Sequence, residues 1–398
     1  MDEKRKGRIM NLFIRELRKL LALTKADPKS LAAGIIAPTV ILIIFALTFG
    51  NFVALKLAVV NEDAGTLGAA FQKTVFSQTS PLSGEPYFEA IEVDAVGAQE
   101  LYDQGHVNGI LTIPEDFSER LASGERAQIV YAFDNYNTDM AKNLRLYLDE
   151  GIFAFYQEHM PGMEIEVRRA YAVATQLDWF AIIATGVFML AFLMGSMFNL
   201  LYLLNKERVY ATLSEYRLAP ASLLPTFAAR VTVALLAGAV GAAVNALLVW
   251  LLTGVNLACG LLAILPVLLV LGVAFVSFAA IVSLTVRKFS GAAMLSMVTA
   301  VVAWFLSGAT TSVKYATGAL LDVALALPSS YGLSQIRAAV FGVDQSVGGL
   351  LAADKGWIVM GAYAVALMVA AWAIYRKRLG GGGRWVDARC DRQVRGDK

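Results

Sequence analysis

Few residues in this chain are of types that could do chemistry, and none is arranged for it. His106 and His159 are the only histidines, and neither stands at metal-ligand spacing from a second donor. Glu158 beside His159 reads as an exposed helical pair. No serine sits in a nucleophile-elbow context with a matching histidine. A glycine-rich loop ending in Lys-Ser or Lys-Thr would cradle nucleotide phosphates, but the glycine run at 380–383 lacks the lysine. The long apolar runs carry no central acid or lysine, which argues against a proton- or ion-coupled carrier. Asn199 and Asn245 are their most polar groups, suited to hydrogen bonding between helices or to a substrate path.

What stands out instead is a charged stretch at residues 205–220, N-K-E-R-V-Y-A-T-L-S-E-Y-R-L-A-P. Long apolar runs lead into it and away from it. It holds Lys206, Glu207, Arg208, Glu215 and Arg217, with Thr212 and Leu213 spaced to share one side of a short helix. A charged helix without chemistry, hung between two membrane spans, suits a place where another molecule applies force. The plainer alternative is a solvated turn with ordinary charges.

Composition supports the membrane setting. Of 398 residues, 57% are hydrophobic and the mean hydropathy is +0.59, which excludes an ordinary soluble domain. The net charge is only +2, but with the N-terminus inside, most Lys and Arg fall in cytoplasmic segments and most Asp and Glu outside. That asymmetry sets the orientation. The basic tail is therefore a topology signal rather than a nucleic-acid site. Cys259 falls near the outer face and Cys390 in the cytoplasmic tail, so the two cannot pair within one chain. The outer domain has no cysteine and must rely on its core. The first apolar run lacks a small-residue cleavage site and reads as an uncleaved span.

In order along the chain, residues 1–30 form a cytoplasmic interfacial helix. Leu12, Phe13, Leu17, Leu20 and Leu21 lie opposite Arg15, Glu16, Arg18 and Lys19, a pattern that suits a helix lying on the membrane surface. Residues 31–50 hold the first span, with Pro38 inside. Residues 51–177 form an outer domain of α/β pattern, at about 125 residues large enough for its own core. Its strands are expected at 56–60, 107–113 and 128–132, its helices at 95–104 and 114–123, with further helical pattern at 138–156 and 164–176. Residues 178–375 supply five more spans, at 179–204, 227–252, 257–286, 291–306 and 357–375, each near the ~20 residues that cross the hydrocarbon core. Arg230 lies close enough to the inner end of its run to snorkel. Residues 307–355 are too apolar for a free loop and read as a membrane-associated outer segment, with Leu333, Ile336 and Val340 on one helical face and Gln335 and Arg337 off it. Gly238 and Gly241 make a small-residue face that suits close packing within the chain or a dimer interface. Residues 376–398 form a basic cytoplasmic tail. The fold class is thus a polytopic α-helical membrane protein of six transmembrane helices with an inserted α/β extracytoplasmic domain.

Four stretches resemble the membrane subunits of ABC exporters, the ABC-2 type permeases that carry an extracytoplasmic domain between the first and second spans. They are F-I-R-E-L-R-K-L-L-A-L-T-K-A-D-P near the N-terminus; L-A-V-V-N-E-D with V-N-G-I-L-T-I-P-E-D-F-S-E-R-L-A-S-G-E in the outer domain; E-R-V-Y-A-T-L-S-E-Y-R-L-A-P at the charged stretch; and L-S-G with L-P-S-S-Y and Arg337 before the last span. Where that family often has glycine before the threonine and an acid after the leucine, this chain has Ala211 and Ser214, and Glu215 could supply the displaced charge.

The resemblance implies a transport subunit, not an enzyme. It would work as a homodimer or heterodimer with a second permease subunit in the lipid of the cell membrane, both termini cytoplasmic. A separate cytoplasmic ABC ATPase would bind ATP and Mg. Glu207, Arg208, Thr212, Leu213, Glu215 and Pro220 are the residues it assigns to the motor contact. The implied cargo is a hydrophobic or amphipathic drug, peptide or lipid-like molecule moved outward. A different class, a non-transporting receptor or anchor for secretion or cell-wall machinery, is the alternative, motivated by an outer domain larger than a minimal pore needs.

Overall fold

The computed structural model describes residues 2–49, 54–80, 84–133, 139–159, 179–210, 212, 216, 222–310, 313, 316–342 and 351–380. The chain divides into two compact units, one formed by Met1–Asn51 with Leu177–Lys398 and the other by Phe52–Gln176. The expected helix at 164–176, the tail beyond 380 and Cys390 lie outside the described residues.

The first unit is helical. It begins with α1 (Asp2–Ala26) and α2 (Lys29–Phe49). Asp27 and Pro28 separate them because proline cannot continue the hydrogen-bond ladder of the preceding helix.

The second unit follows, built on a mixed sheet. Its elements are β1 (Leu55–Asn61), α3 (Thr66–Phe76), β2 (Phe88–Glu92), α4 (Ala95–Asp103), β3 (Gly109–Ile113), α5 (Phe117–Ala122), β4 (Val130–Ala132) and α6 (Asp139–His159). Strand order is β2-β1-β3-β4, with β1 parallel to both neighbours and β4 antiparallel to β3. Side chains alternate along β1. Leu55 and Leu57 join Phe71, Leu111, Ile113, Phe117, Leu144 and Phe155 in a core under α3, α5 and α6. Ala58 and Val60 join Ala98, Val107 and Ile110 in a second core under α4. A strand covered on both faces reads as a continuous apolar run, hence K-L-A-V-V. Phe71 centres the larger core, its ring 5.2 Å from Phe155 and 5.5 Å from Phe117. Two elements go beyond the sequence expectation, α3 and the edge strand β2.

Asp63, at the end of the L-A-V-V-N-E-D stretch, ties together the starts of α3 and α5. Its carboxylate accepts from the Ser118 amide at 3.0 Å, the Ser118 hydroxyl at 2.6 Å and the Gly68 amide at 3.0 Å. One side chain thereby satisfies the first turns of α3 and α5, whose amides have no partner within their own helices. Glycine is required beside it, since a Cβ on Gly68 would lie 2.5 Å from an Asp63 oxygen and one on Gly65 2.3 Å from Ser118.

The helical unit resumes with α7 (Trp179–Val209), α8 (Leu223–Thr253), α9 (Leu261–Thr285), α10 (Phe289–Leu306), α11 (Ala319–Ala326), α12 (Pro328–Phe341) and α13 (Ala353–Gly380). Among the described residues, six helices are long and apolar enough to cross a membrane: α2, α7, α8, α9, α10 and α13. Helix α7 is the hub. Ile183, Ala184, Val187, Met189, Leu190 and Leu193 are all fully buried, as expected of a helix that is apolar all round. Glycines bring its neighbours close: a Cβ on Gly34 would lie 2.4 Å from Gly195 Cα, and one on Gly238 2.5 Å from the Phe192 carbonyl. The small-residue face of α8 is therefore packed within the chain.

Helix α12 lies in the segment expected to be membrane-associated, and it is deeply packed, with Leu333 and Ile336 fully buried. Arg337 departs from the expectation that it lies off the apolar face. It is buried because carbonyls of Ile182, Gly308 and Ala309 and the Thr185 hydroxyl accept from its guanidinium at 3.0–3.3 Å.

Removing the Asp63 carboxylate strands several donors at once. Asp63→Ala is expected to lower the stability of the α/β unit by on the order of 1–3 kcal/mol, read as faster amide exchange in β1, α3 and α5 with exchange in α7 unchanged. Burial raises the Asp63 pKa, but the bonds from Ser118 and Gly68 outweigh it and hold the carboxyl below its ordinary value. The folded value being depressed, this contribution is complete above about pH 4 and is lost as pH falls through the folded pKa. A flat protection factor in β1, after correction for the intrinsic pH dependence of amide exchange, from neutral pH down to the acid limit of folding would contradict the assignment.

Candidate functional site

The charged stretch begins inside α7. Its last turn carries Lys206, Glu207 and Arg208, and successive residues of a helix point about 100° apart. Their three side chains therefore reach three different parts of the bundle.

Glu207 points inward. Arg230 of α8 is fully buried and meets it side-on, with Nε 2.9 Å from Oε2 and Nη2 2.7 Å from both carboxylate oxygens. Such two-pronged geometry is the strongest form of this pair. The remaining guanidinium nitrogen, Nη1, donates to the Thr226 carbonyl at 2.7 Å. The ring of Tyr216 lies 5.0 Å from the guanidinium and that of Tyr375 on α13 lies 5.7 Å away, so aromatic faces replace part of the lost hydration. Tyr375 is itself anchored by the Thr226 hydroxyl at 3.2 Å. From the other direction, Lys19 of α1 lies 3.5 Å from Glu207 and 3.4 Å from Glu16, and also donates to the Tyr216 hydroxyl. Tyr216 in turn donates to Glu16 at 2.9 Å. Burial lowers the Lys19 pKa, but the hydrogen bond to Tyr216 and the acids Glu207 and Glu16 outweigh it and leave it above its ordinary value.

Lys206 turns to the joint between α1 and α2, where it lies 2.9 Å from Asp27. Tyr202 donates to the same carboxylate. With Tyr202 and Lys206 both bonded to it, the Asp27 carboxyl is pushed down to about 2. Arg208 reaches the C-terminal end of α9, donating to the carbonyls of Ser283, Val286 and Arg287. Ser283 lies in the last turn of that helix, whose carbonyls have no donor within it, and a cation there also suits the helix dipole.

Helix α1 closes the site. Its Leu20 is fully buried against Leu203, Ala229 and Val233, with Phe13, Leu17 and Leu23 packed around it. Phe13, Leu17 and Leu20 of the apolar face read as membrane-facing are thus packed with α7 and α8, while Leu21 of that face remains exposed, as do Ile9 and Met10. Deeper in, Asn199 donates to Ser30 at 3.1 Å and Thr24 at 3.4 Å, so it bonds helix to helix at the same joint.

Of the residues assigned to a motor contact, three are described. Thr212 donates to the Glu207 carbonyl at 3.3 Å and is half-buried. Glu207 faces the interior, because Arg230 and Lys19 occupy its carboxylate. Arg208 is bonded to the end of α9. Leu213, Glu215 and Pro220 lie outside the described residues. Arg230, Tyr375, Tyr216 and Lys19 were not picked out as site residues from the sequence. Arg230 was expected to snorkel to the surface; it turns inward instead because Glu207 offers it a buried counter-ion. The one available signal was a lone arginine near the start of an apolar run, with a glutamate in the preceding charged stretch. Among the described residues no group of histidine, cysteine and carboxylate side chains could hold a metal ion.

Comparison with known proteins bears on this arrangement. The family described as "ABC-2 family transporter protein" matches residues 28–373. A crystallised domain described as belonging to an ABC type-2 transporter of Thermotoga maritima MSB8 is similar at 22% identity. That similarity covers 27% of this chain and 72% of the domain, with a TM-score of 0.22. No curated protein sequence matches. The family match covers most of the chain and takes in both Glu207 and Arg230, so the chain belongs to the ABC-2 transporter family.

Proposed function

We propose that this chain is the permease subunit of an ATP-driven exporter and that residues 205–220 receive the force of a separate cytoplasmic ABC ATPase. ATP and Mg would be bound by that partner. The chain would pair with a second permease subunit in the plasma membrane, both termini cytoplasmic and the α/β unit on the outer side. Its cargo would be hydrophobic or amphipathic, moved outward.

The observation that carries this reading is the fan of Lys206, Glu207 and Arg208. Each is bonded to a different part of the helical unit: the α1–α2 joint, α8, and the end of α9. A displacement applied below Val209 is handed to several helices at once instead of being absorbed by a flexible loop. Glu207 and Arg208 transmit in this scheme, and Thr212, Leu213, Glu215 and Pro220 form the contact.

Two sets of variants separate contact from transmission in a reconstituted permease–ATPase complex. Thr212→Ala with Glu215→Ala is expected to weaken ATPase binding by on the order of tenfold, about 1.4 kcal/mol, with thermal stability of the permease unchanged. Unaltered ATPase affinity and transport would sink the assignment of the contact. Glu207→Ala alone strands the buried Arg230 charge and is expected to cost about 3–5 kcal/mol of stability. Glu207→Met with Arg230→Met removes both charges at similar volume and is expected to be near neutral for folding. In that double variant ATPase binding persists, while substrate export falls on the order of tenfold per ATP hydrolysed. Transport with full coupling in the double variant would exclude Glu207 and Arg230 from force transmission.

A further inference from the structure

Helix α1 presents more than the face it packs against α7 and α8. Taken at 100° per residue, Asn11, Arg15, Arg18, Ala22 and Lys25 fall within one sector of about 80°, and all five are exposed. Among the described residues no ion-pair or hydrogen-bond partner engages the side chains of Arg15, Arg18 or Lys25. Between residues 15 and 25 the only acid is Glu16. It faces away from this row, bonded to Tyr216 and Lys19. Between the cationic row and the packed side chains of Phe13, Leu17 and Leu20 runs a second row of Met10, Ile14 and Leu21. Met10 is 59% exposed and Leu21 40%. Around its circumference α1 is thus packed, then apolar but uncovered, then cationic.

Charge alone does not name what covers this side; the apolar row beside it does. Water suits the cations but leaves Met10 and Leu21 exposed at a cost. A bilayer boundary suits both rows, because acyl chains take the apolar side chains and headgroup phosphates take the cations. Position along the chain points the same way. Only Asp27 and Pro28 separate α1 from α2, which is long and apolar enough to cross a membrane and opens on the exposed Lys29. Lys25 therefore stands about one turn from the entrance of a span, at headgroup level, where lysine and arginine attract acidic lipids. We propose that this side of α1 binds the phosphate headgroups of acidic phospholipids through Arg15, Arg18 and Lys25, with Met10 and Leu21 seated among the acyl chains. The lipid contact is thus beside the Phe13–Leu17–Leu20 face, not on it. The site requires that α2 span the membrane and is independent of the cargo and of the ATPase contact.

The experiment uses the full chain with Cys259→Ser and Cys390→Ser and a fluorophore on Ala22→Cys, within the cationic row. It is placed in phosphatidylcholine nanodiscs holding a trace of spin-labelled phosphatidylglycerol or of spin-labelled phosphatidylcholine with the same acyl chains. Quenching reads how strongly each lipid gathers beside α1. The expected result is enrichment of phosphatidylglycerol over phosphatidylcholine on the order of tenfold, shrinking as salt rises. Arg15→Gln with Arg18→Gln and Lys25→Gln is expected to abolish the preference with thermal stability unchanged, since all three side chains are exposed. Met10→Gln with Leu21→Gln keeps the cations and is expected to lower quenching by both lipids. Equal quenching by the two lipids, a preference that survives the triple substitution, or quenching indifferent to the Met10 and Leu21 changes would each overturn the proposal. Displacement of phosphatidylglycerol by inorganic phosphate beyond the effect of sodium chloride at equal ionic strength would overturn it in favour of a soluble phosphate ligand.

Discussion

The helical unit depends on a buried ion pair between Glu207 and Arg230. Neither charge reaches water, and desolvating two ions costs several kcal/mol each before any attraction is counted. The pair is tolerable because its geometry is two-pronged and because Thr226, Tyr216, Tyr375 and Lys19 complete the shell. A pair of this kind contributes less to net stability than to uniqueness. It admits one register of α7 against α8, since a slip by a turn would leave both charges buried and unmatched. Helix α1 and Tyr375 of α13 are drawn into the same register. The charged stretch below α7 therefore begins from a fixed base.

Around that pair the bundle is closed largely by small and apolar side chains. Gly34, Gly195 and Gly238 let three backbones approach until a single methyl group would clash. Close backbones make a stiff contact, because helices packed at that distance cannot slide without opening a void. The hub α7 is thus enclosed along its length and oriented at its charged end. Asn199, bonded to Ser30 and Thr24, ties the α1–α2 joint to it.

Much of this architecture could be read from the chain directly. The spans follow from apolar runs, and β1 and β3 from β-branched runs bounded by turns. Helix α3 was missed because T-L-G-A-A-F-Q-K-T-V-F mixes a glycine with β-branched residues, and its helical state rests on Phe71 and Val75 packing into the core. Strand β2 was missed because F-E-A-I-E is short and acidic, with the polar alternation of an edge. At the candidate site the charges of residues 205–220 were visible, but not their destinations. Glu207 and Arg230 stand on different helices, and no local pattern reports that one turns inward to the other. The same limit hid the destination of Arg337, whose acceptors are three backbone carbonyls and the Thr185 hydroxyl on a distant helix.

Arg337 and Arg230 complete the description of α7. Arg337, from α12, holds the carbonyl of Ile182 in the first turn of α7. Arg230, from α8, holds Glu207 in its last turn. The two anchor points are 25 residues apart, or ~37 Å at 1.5 Å per residue. A rigid helix pinned at both ends by charge-assisted bonds cannot shift gradually, because any translation breaks directional bonds at one end before new ones form. The two arginines thus anchor an otherwise apolar helix near both of its ends.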